Sequence, residues 1–436
     1  MRIVIIGCGY VGLNLAVKLS KHFNVIGYDK DRNKVRELND GIDRTDEVQE
    51  ELVDAMKNNG LSFTEGINLL FDADAYIICV PTPVNKNNSP DLSYVVEATN
   101  MVAYLCKRPS PQRESPVCII YESTFYPGTI DDMCIPIIYR ECNKDDVAIG
   151  YSPERIDPGN KDKNITNIKK LIASSDPCCL EIMNDIYSKI TDVVELFDIR
   201  TAEMSKLVEN IQRDINIAFI NEVSMICNKM NIDTKKVLKA ANSKWNFLDF
   251  KPGLVGGHCI SVDPFYLKHK STEMGMYPRM ISEARRLNEH MPKFITDNIM
   301  KMLIQYHKKY SETMINMLGI TFKANVPDIR NTGIKFIYDT LLDYGFDVIV
   351  NDPRANPNEV YDTFRRALFT DISKDFRTLR KCDVVVIGVA HDEFKDLKLE
   401  QINKMFRGET KILIDIPGLY EKSEAENKHG IRYWSL

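Results

Sequence analysis

The fold is decided by the stretch Arg2-Ile3-Val4-Ile5-Ile6-Gly7-Cys8-Gly9-Tyr10-Val11-Gly12. Its first residues are β-branched and apolar, which is typical of a strand buried on both faces of a parallel sheet. The glycines mark a tight turn, and apolar residues then recur at the spacing of a helix that packs on a sheet. A second apolar strand at residues 24–28 ends at Asp29, 22 residues after Gly7. Strand, glycine-rich turn, helix, strand and acid in this order predict a dinucleotide-binding unit.

The parts of this unit suit a dinucleotide for physical reasons. Glycines let the backbone approach a pyrophosphate at a helix N-terminus, and an acid after the second strand accepts hydrogen bonds from ribose hydroxyls. A glycine-rich turn alone also occurs where nothing binds, but here the flanking strands, helix and acid are all in register. A carboxylate at Asp29 would repel the 2′-phosphate of NADP, so we expect NAD as the cofactor, although Lys30 and Arg32 follow closely.

The remaining pattern indicates more α/β structure around a helical middle. Apolar strands are predicted at residues 75–80, 117–121, 314–320, 347–350, 382–389 and 411–416, with a helix at residues 331–344. The expected fold class is α/β, with two Rossmann-like doubly wound sheets joined by a central α-helical domain. We expect an NAD-binding domain at residues 1–198, a helical dimerisation domain with a cysteine loop at 199–308, and a second Rossmann-like domain at 309–436.

Length and composition exclude several classes of protein. At roughly 100–200 residues per domain, 436 residues make two or three domains. Hydrophobic residues are 44% and charged residues 27% of the chain, so disordered and fibrous classes are excluded. The net charge of −5 gives no electrostatic footprint for nucleic acid. No apolar run reaches the roughly 18 residues of a membrane span, so we expect no membrane partner and a cytoplasmic location.

The eleven cysteines are scattered and include no Cys-x-x-Cys pair. This spacing disfavours a zinc ribbon or a disulfide framework and favours reduced thiols in a cytosolic compartment. Cys79, Cys118 and Cys382 fall in predicted apolar strands, where cysteine acts as a small hydrophobic residue.

Two long helices are predicted in the middle of the chain, at residues 201–230 and 278–307. Apolar residues recur at helical spacing along the first, at Leu207, Ile211, Ile215, Phe219 and Val223. Lys206, Asn210 and Arg213 project from one side of it, which on an ordinary helix is a solvated face. The second helix has more apolar positions than one face needs, which suggests a subunit interface. The turn-rich residues 150–159 are typical of a surface loop.

The densest chemical signal is Pro252-Gly-Leu-Val-Gly-Gly-His-Cys259-Ile-Ser-Val-Asp263-Pro-Phe-Tyr-Leu267. Paired glycines permit close approach to a ligand, and a thiol on such a loop can be reached by one. The residue pattern leaves packing and nucleophilic roles equally open for Cys259. A zinc site at His258, Cys259 and Asp263 is the weaker interpretation, because no second Cys/His pair stands at ligand spacing, and we expect no metal.

Sequence motifs are spread over essentially the whole chain: GCGYVG at 7–12, VPTP at 80–83, STFYPG at 123–128, SPERIDPG at 152–159, AEMSKLVEN at 202–210, PGLVGGHCISVDPFYL at 252–267 and FKANVPDIRNT at 322–332. Together they resemble the UDP-glucose/GDP-mannose dehydrogenase family. The resemblance implies an NAD-dependent oxidoreductase that converts a sugar C6 alcohol to the acid in two steps without releasing the aldehyde. It further implies a UDP-sugar-binding role for residues 309–436 and a homodimer or higher homo-oligomer.

The resemblance implies catalytic roles for Cys259, Lys206, Asn210, Asp263, Glu154 and Thr124. Cys259 would capture the aldehyde as a thiohemiacetal that is oxidised to a thioester and then hydrolysed. Lys206, helped by Asn210, would transfer protons and hold the developing oxyanion. Asp263 would position a water, and Glu154 would act in thioester hydrolysis with Thr124 nearby.

The resemblance also implies two sets of binding residues. Cofactor contacts are implied for Gly7, Gly9, Tyr10, Val11, Gly12, Asp29, Thr82, Thr124 and Arg330. Nucleotide-sugar contacts are implied for Arg155, Ile156, Lys206, Asn210, Arg213, Gly256, Phe322 and Lys323. The basic members would bring positive charge to a pyrophosphate despite the acidic balance of the chain.

Two details favour an N-acetylated sugar. Ile156 after SPER and Leu254-Val255 before GGHC resemble the branch of the family that acts on UDP-GlcNAc or UDP-GalNAc. UDP-glucose and UDP-ManNAc are the alternative substrates. A two-electron hydroxyacid dehydrogenase would share the first sheet, a long helix and a lysine, but it would not explain the cysteine loop or the second sheet. An inactive cofactor-binding sensor is disfavoured because all the candidate catalytic residues occur together.

Overall fold

A computed structural model describes residues 1–45, 47–107, 115–156, 165–257, 259–364, 368–370 and 379–436. The chain forms two compact units. Unit 1 comprises Met1–Glu209 and Phe265–Tyr277, and unit 2 comprises Asn210–Pro264 and Pro278–Leu436. Each unit contains one mainly parallel sheet, and long helices lie in the middle of the chain, so the predicted fold class is confirmed.

The elements follow in chain order. The strands are β1 (Arg2–Ile6), β2 (Asn24–Tyr28), β3 (Ser62–Thr64), β4 (Ala75–Ile78), β5 (Val117–Tyr121), β6 (Val147–Tyr151), β7 (Lys170–Ala173), β8 (Val193–Leu196), β9 (Met314–Leu318), β10 (Asp347–Asn351), β11 (Leu368–Thr370), β12 (Val384–Ile387), β13 (Lys411–Asp415) and β14 (Ile431–Ser435). The α-helices are α1 (Tyr10–Leu19), α2 (Arg32–Asn39), α3 (Gln49–Asn58), α4 (Ser93–Cys106), α5 (Ile135–Ile138), α6 (Pro177–Tyr187), α7 (Ile199–Met230), α8 (Thr234–Ala241), α9 (Asp263–Glu273), α10 (Arg279–Gln305), α11 (Gly333–Asp343), α12 (Pro357–Thr363), α13 (Asp392–Lys395), α14 (Leu399–Asn403) and α15 (Lys422–His429).

The sheet of unit 1 has eight strands in the order β3-β2-β1-β4-β5-β6-β7-β8. Its first six strands have the doubly wound order, and among the residues that the structure describes only β6 and β7 pair antiparallel in this sheet, through Tyr151 and Ala173. Residues 3–6 of β1 are fully or almost fully buried, as the run of β-branched residues predicts. The core of this unit joins the sheet to α1, α3 and α6.

Strand β6 corrects one expectation from the sequence. The turn-rich stretch 150–159 begins inside this strand rather than after it. Gly150 serves packing rather than a turn, because a Cβ there would lie 2.2 Å from Sδ of Met183 on α6. The end of the stretch, residues 157–159, lies outside the described residues.

The sheet of unit 2 has six strands, all parallel, in the order β11-β10-β9-β12-β13-β14. This is the doubly wound order again. The predicted strands at residues 314–320, 347–350, 382–389 and 411–416 are found as β9, β10, β12 and β13, with ends shifted by a few residues. Residues of α10 and α11 pack on this sheet in one core cluster.

Helix α7 has 32 residues and begins two residues before the predicted start at residue 201, but its buried and exposed faces differ from the expected ones. Lys206 and Asn210 are each only 7% exposed, so they do not belong to a solvated face. Phe219, assigned to the apolar core by its spacing, is 57% exposed. In the described ranges no helix is both long and apolar enough to cross a membrane.

Unit 1 includes a segment that the chain reaches late, Phe265–Tyr277. Tyr266 of this segment is fully buried, and its hydroxyl donates to the carbonyl oxygens of Thr82 (3.0 Å) and Pro83 (3.3 Å). The loop that follows β4 is therefore held by Tyr266, which is 184 residues from Thr82 in sequence.

Candidate active site

The glycine-rich turn between β1 and α1 has the shape that a pyrophosphate requires. Gly7 has a φ of +93°, which favours glycine, and its N–H donates to Tyr28 O at 2.8 Å. A Cβ at Gly12 would lie 2.0 Å from the carbonyl oxygen of Gly7, so the helix can pack on the turn only with glycine there. A Cβ at Gly9 would have nothing within 4 Å, so this position faces open space at the start of α1.

Asp29, at the end of β2, is buried with 8% exposure beside this turn. One carboxylate oxygen accepts the N–H of Cys8 at 3.0 Å and the Nζ of Lys34 at 2.8 Å, and the other accepts the N–H of Asp31 at 3.0 Å. A carboxylate has about four acceptor sites, so capacity for a ribose hydroxyl remains. The turn and the acid fit an adenine dinucleotide, and the open space at Gly9 would leave room for its pyrophosphate.

The other predicted cofactor residues of unit 1 lie at the start of α1 and in the loops that follow β4 and β5. Tyr10 and Val11 begin α1 and are half-buried. Thr82 and Thr124 are half-buried in the loops after β4 and β5. Ser123 joins these loops, because its hydroxyl donates to Val80 O at 2.6 Å.

Glu154 and Lys206 lie together in unit 1. The Nζ of Lys206 donates to the backbone carbonyl of Glu154. One oxygen of the Glu154 side chain accepts the N–H groups of Arg155 and Ile156, both at 2.6 Å. Glu154 is half-buried and Lys206 is buried, although the sequence pattern is typical of a surface loop at Glu154.

Three residues beside Glu154 were not singled out from the sequence: Glu122, Lys170 and Tyr187. The Nζ of Lys170 lies 2.6 Å from Glu122 Oε2 and 3.4 Å from Glu154 Oε2. The hydroxyl of Tyr187 donates to Glu122 Oε1 at 2.5 Å. We call Glu122, Lys170, Tyr187 and Glu154 the buried charge cluster. Burial raises the pKa of Glu122 to about 7. Burial alone would lower the pKa of Lys170, but Glu122 and Glu154 outweigh it and raise that pKa.

Unit 2 carries the cysteine loop. Cys259 is half-buried in a tight turn, and its carbonyl oxygen accepts the N–H groups of Val262 (3.0 Å) and Asp263 (2.9 Å). Asp263 begins α9, is 1% exposed and accepts the side-chain N–H of Asn210 at 2.6 Å. The structure thus brings together Cys259, Asp263 and Asn210, three of the predicted catalytic residues.

The glycines before Cys259 are fixed by close packing. A Cβ at Gly256 would lie 2.6 Å from Asn331 O, and one at Gly257 would lie 2.8 Å from the ring of Phe322. Gly257 also has a φ of +79°, and its carbonyl accepts the side-chain N–H of Asn331 at 3.0 Å. Phe322, a predicted substrate residue, therefore packs directly against the glycines of the loop.

Two long helices hold this loop from behind. Asn221 of α7 donates to Gly253 O at 3.0 Å and accepts the N–H of Gly253 at 2.8 Å. Asn288 of α10 joins Asn221 to Asp214. Arg285 of α10 forms a buried ion pair with Asp214 at 2.7 Å and reaches Ile260 O at 3.4 Å. Sequence patterns gave no signal for this support, because these residues fall on helices without a motif.

The predicted basic and apolar binding residues differ in their surroundings. Arg155 pairs with Glu209 at 2.7 Å, and Arg330 forms a bidentate pair with Asp328. Arg213 is exposed on α7, whereas Lys323 is half-buried in the loop after β9. The remaining predicted residue of this set, Ile156, packs at the edge of the unit 1 core.

The thiols separate into distinct environments. Cys118 and Cys382 are fully buried, as expected of small hydrophobic residues, and burial raises the pKa of the Cys382 thiol to about 12. Cys259 is half-buried and Cys178 is exposed. Within the described ranges no three His, Cys, Asp or Glu side chains form a metal-binding group, and His258 of the zinc alternative lies outside those ranges.

Comparison with known proteins identifies the family. Models of the UDP-glucose/GDP-mannose dehydrogenase family match residues 1–191 (NAD binding domain), 200–290 (central domain) and 316–422 (UDP binding domain). The chain is 40% identical over 441 residues to Protein CapL of Staphylococcus aureus, covering 100% of this chain and 99% of that protein.

Two further relatives carry names that state an activity. A UDP-N-acetyl-D-glucosamine 6-dehydrogenase of Salmonella typhi is 38% identical over 422 residues, covering 95% of this chain and 96% of that protein. The solved structure of a UDP-D-ManNAc dehydrogenase from Pyrococcus horikoshii aligns with a TM-score of 0.86 and 27% identity over 99% of both chains. The chain therefore belongs to the UDP-glucose/GDP-mannose dehydrogenase family and is an NAD-dependent oxidoreductase.

Proposed function

We propose that this enzyme oxidises the C6 alcohol of a UDP-N-acetylhexosamine, UDP-GlcNAc or UDP-GalNAc, to the uronic acid in a four-electron reaction. The observation that carries the proposal is the half-buried Cys259 in a turn with the buried Asp263–Asn210 pair. A thiol in that setting suits covalent capture of an aldehyde, which a two-electron dehydrogenase does not need.

The thiol allows the second oxidation to proceed, like the first, by loss of a hydride from C6. Bound NAD supplies the acceptor for the hydride that leaves C6 in each of the two oxidations. Between them, the Cys259 sulfur bonds to the aldehyde carbon and gives a thiohemiacetal that again carries a C–H bond on a carbon bearing oxygen. The resulting thioester is hydrolysed: water oxygen bonds to the carbonyl carbon, and the carbon–sulfur bond breaks to return the thiolate.

The other candidate residues serve the protons and the developing charge. Lys206 and Asn210 would stabilise the oxyanion on the C6 oxygen, and Lys206 would also move its proton. Asp263, held by the side chain of Asn210, would orient the attacking water. Glu154 would accept the proton of that water during thioester hydrolysis, and Thr124 would assist it.

The binding of the cofactor and of the nucleotide sugar is assigned to different domains of the chain. We propose an NAD-binding domain at residues 1–198, a helical domain at 199–308 and a UDP-sugar-binding domain at 309–436, which the positions of the three family models support. Arg155, Arg213 and Lys323 would bind the pyrophosphate of the nucleotide sugar. Ile156, Gly256 and Phe322 would contact its sugar. Arg330 would contact the cofactor.

The test is a panel of substrates in which the number of reduced cofactor molecules formed per uronate is measured. The enzyme is given UDP-GlcNAc, UDP-GalNAc, UDP-ManNAc or UDP-glucose with NAD or NADP, and NADH or NADPH and uronate are measured. We expect two NADH per uronate, with UDP-GlcNAc or UDP-GalNAc the preferred substrate. One NADH per substrate would identify a two-electron dehydrogenase, and preference for UDP-ManNAc or UDP-glucose would overturn the assignment of the sugar.

The nucleophile is tested by Cys259→Ala with Cys178→Ala as the matched control. Cys178 is an exposed thiol in the first turn of α6 and is not one of the candidate site residues. We expect uronate formation to fall by roughly 10³-fold or more in Cys259→Ala and to be unchanged in Cys178→Ala. Wild-type uronate formation by Cys259→Ala would contradict the mechanism.

We also infer that the enzyme is a homodimer. Exposed apolar side chains recur along one face of α7 at a spacing close to whole helical turns, at Met204, Val208, Phe219, Ile226 and Met230. Successive members of this set are 4, 11, 7 and 4 residues apart, which keeps them within one stripe of a helix with 3.6 residues per turn. We call this set the α7 stripe. A second copy of the chain would bury it.

A further inference from the structure

The buried charge cluster contains an ammonium group that the reaction described above does not use. Lys170 is 4% exposed, and its Nζ lies between the carboxylates of Glu122 and Glu154. A buried lysine is retained only where nearby charges compensate for its lost hydration. Here Glu122 is the nearer carboxylate, at 2.6 Å, and Glu154 is the farther, at 3.4 Å.

Glu122 is itself fixed, so it can act as an anchor. It is 2% exposed at the end of β5, and Tyr187 of α6 donates to its second oxygen at 2.5 Å. The ammonium of Lys170 also lies over the ring of Tyr187, 5.3 Å from the centroid. Lys170 begins β7, so a strand, a helix and the end of a second strand, β5, fix the position of one cation.

The consequence falls on the carboxylate of Glu154. Its Oε1 accepts two backbone N–H groups, and its Oε2 lies 3.4 Å from the Nζ of Lys170. The backbone bonds set where the carboxylate lies, and the lysine sets where its second oxygen points. Loss of the cation would free that oxygen to rotate and would leave two carboxylates facing each other without compensation.

We propose that Lys170, anchored by Glu122, is a positioning residue that holds the Glu154 carboxylate in the orientation needed for thioester hydrolysis. The inference rests on the proposed function, in which Glu154 takes the proton of the attacking water. That water bonds to the thioester carbonyl carbon, and the carbon–sulfur bond to Cys259 then breaks. The two oxidations do not need the second oxygen of Glu154, so loss of Lys170 slows hydrolysis selectively.

The test follows single turnovers of Lys170→Met with the best substrate of the panel and NAD. Rapid mixing gives the rate of NADH formation in the first turnover, and intact-protein mass spectrometry after acid quench detects sugar nucleotide bound to Cys259. We expect a burst of about two NADH per site, steady-state turnover reduced roughly tenfold to a hundredfold, and accumulation of the covalent adduct. The control is Lys169→Met, because Lys169 is the adjacent lysine with an exposed side chain, and it should behave as wild type.

A second variant guards against a folding defect. Lys170→Met with Glu122→Gln removes the cation and the anchor charge together, so no uncompensated Glu122 carboxylate remains in the core. We expect the same burst and adduct from this variant. Wild-type hydrolysis in a folded Lys170 variant would overturn the proposal, as would an equal loss of oxidation and hydrolysis without adduct. Failure of the wild type to form two NADH from any UDP-sugar would instead refute the proposed function.

Discussion

Single residues define the turn between β1 and α1, where three glycines act for different reasons. Gly7 supplies a left-handed backbone, Gly12 leaves room for the helix, and Gly9 leaves open space. The sequence motif predicts that all three are needed, but it does not say which serves the fold and which serves the ligand. The structure separates them, because the space around each Cβ position differs.

We therefore expect alanine at Gly12 to lower the stability of the fold and alanine at Gly9 to weaken NAD binding. Gly12→Ala forces a Cβ to 2.0 Å from Gly7 O, and we expect the free energy of unfolding of the ligand-free protein to fall by about 1–3 kcal/mol. Gly9→Ala should leave that stability unchanged and weaken NAD binding, because its Cβ enters the space used by the pyrophosphate. Denaturant unfolding and calorimetric NAD titration measure the two effects. Equal stability loss in both variants would contradict this distinction.

At the residue scale, the sequence singles out the cysteine loop and Glu154, but it gives no signal for Glu122, Lys170 and Tyr187. Cys259 and Asp263 stand four positions apart in a dense motif, so local spacing sufficed. Lys170 and Glu122 are 48 residues apart, and Tyr187 and Glu122 are 65 apart. Only the folded unit brings the ends of β5 and α6 and the start of β7 within reach of one another, and no local sequence pattern records that proximity.

At the scale of elements, α7 shows why charge and apolarity alone misassign helix faces. Lys206, Asn210 and Glu203 are buried although they look like surface residues in the sequence. Each has a fixed partner: Lys206 donates to Glu154 O, Asn210 donates to Asp263, and Glu203 accepts two backbone N–H groups. Burial of a polar residue depends on such partners, which lie on other elements.

The pH dependence of stability should report on Glu203. It accepts the N–H groups of Gly128 (2.6 Å) and Ile130 (3.1 Å), and burial raises its pKa to about 7. A raised pKa means that the folded state holds the proton more tightly than the unfolded state. The stabilisation from this group is thus complete below the unfolded value of 4.5 and is lost as pH rises through about 7.

Chemical denaturation of the wild type and Glu203→Gln at pH 5 and pH 8 measures this effect. The glutamine cannot titrate, so the difference in free energy of unfolding between the two proteins should change by roughly 2–3 kcal/mol across that range. The wild type should be relatively more stable at pH 5. A difference that is independent of pH would contradict the assignment.

The hydrogen bonds from α7 to the cysteine loop give a second prediction at this scale. Asn221→Leu removes both bonds to Gly253, and we expect the free energy of unfolding to fall by about 1–3 kcal/mol. Alkylation of Cys259 by iodoacetamide, followed by peptide mapping, should become faster because the loop is less restrained. Asn216→Leu is the control, since the side chain of Asn216 donates to Gln212 O of the same helix. Unchanged alkylation in Asn221→Leu would show that the loop is held by other contacts.

At the scale of the whole molecule, the two doubly wound sheets were predictable and their extra strands were not. Long apolar runs predicted β1, β2, β5, β9 and β13 at or near their observed bounds. Strands β3, β7 and β8 have three or four residues each, and the residues of β8 are all partly or fully exposed. Such short or exposed strands lack the hydrophobic periodicity on which a sequence prediction depends.

The α7 stripe yields the prediction on assembly. Light scattering after gel filtration should give twice the 50.0 kDa mass of the chain. Phe219→Glu places a charge in the middle of the stripe and should shift the mass to that of the monomer. Phe336→Glu on α11, where the ring is 47% exposed outside the stripe, should leave the mass of the dimer. A monomeric wild type would refute the dimer.

The late segment Phe265–Tyr277 has a consequence for how this protein can be made and recombined. A ribosome releases residues 1–209 long before it releases Tyr266. The carbonyl oxygens of Thr82 and Pro83 can therefore accept the Tyr266 hydroxyl only after the segment Phe265–Tyr277 has been translated. The cofactor-binding half is therefore not a separable gene segment. An exchange between homologous genes with its crossover at residue 209 would pair each NAD-binding half with a foreign tyrosine segment, whereas a crossover beyond residue 277 would transfer the unit intact.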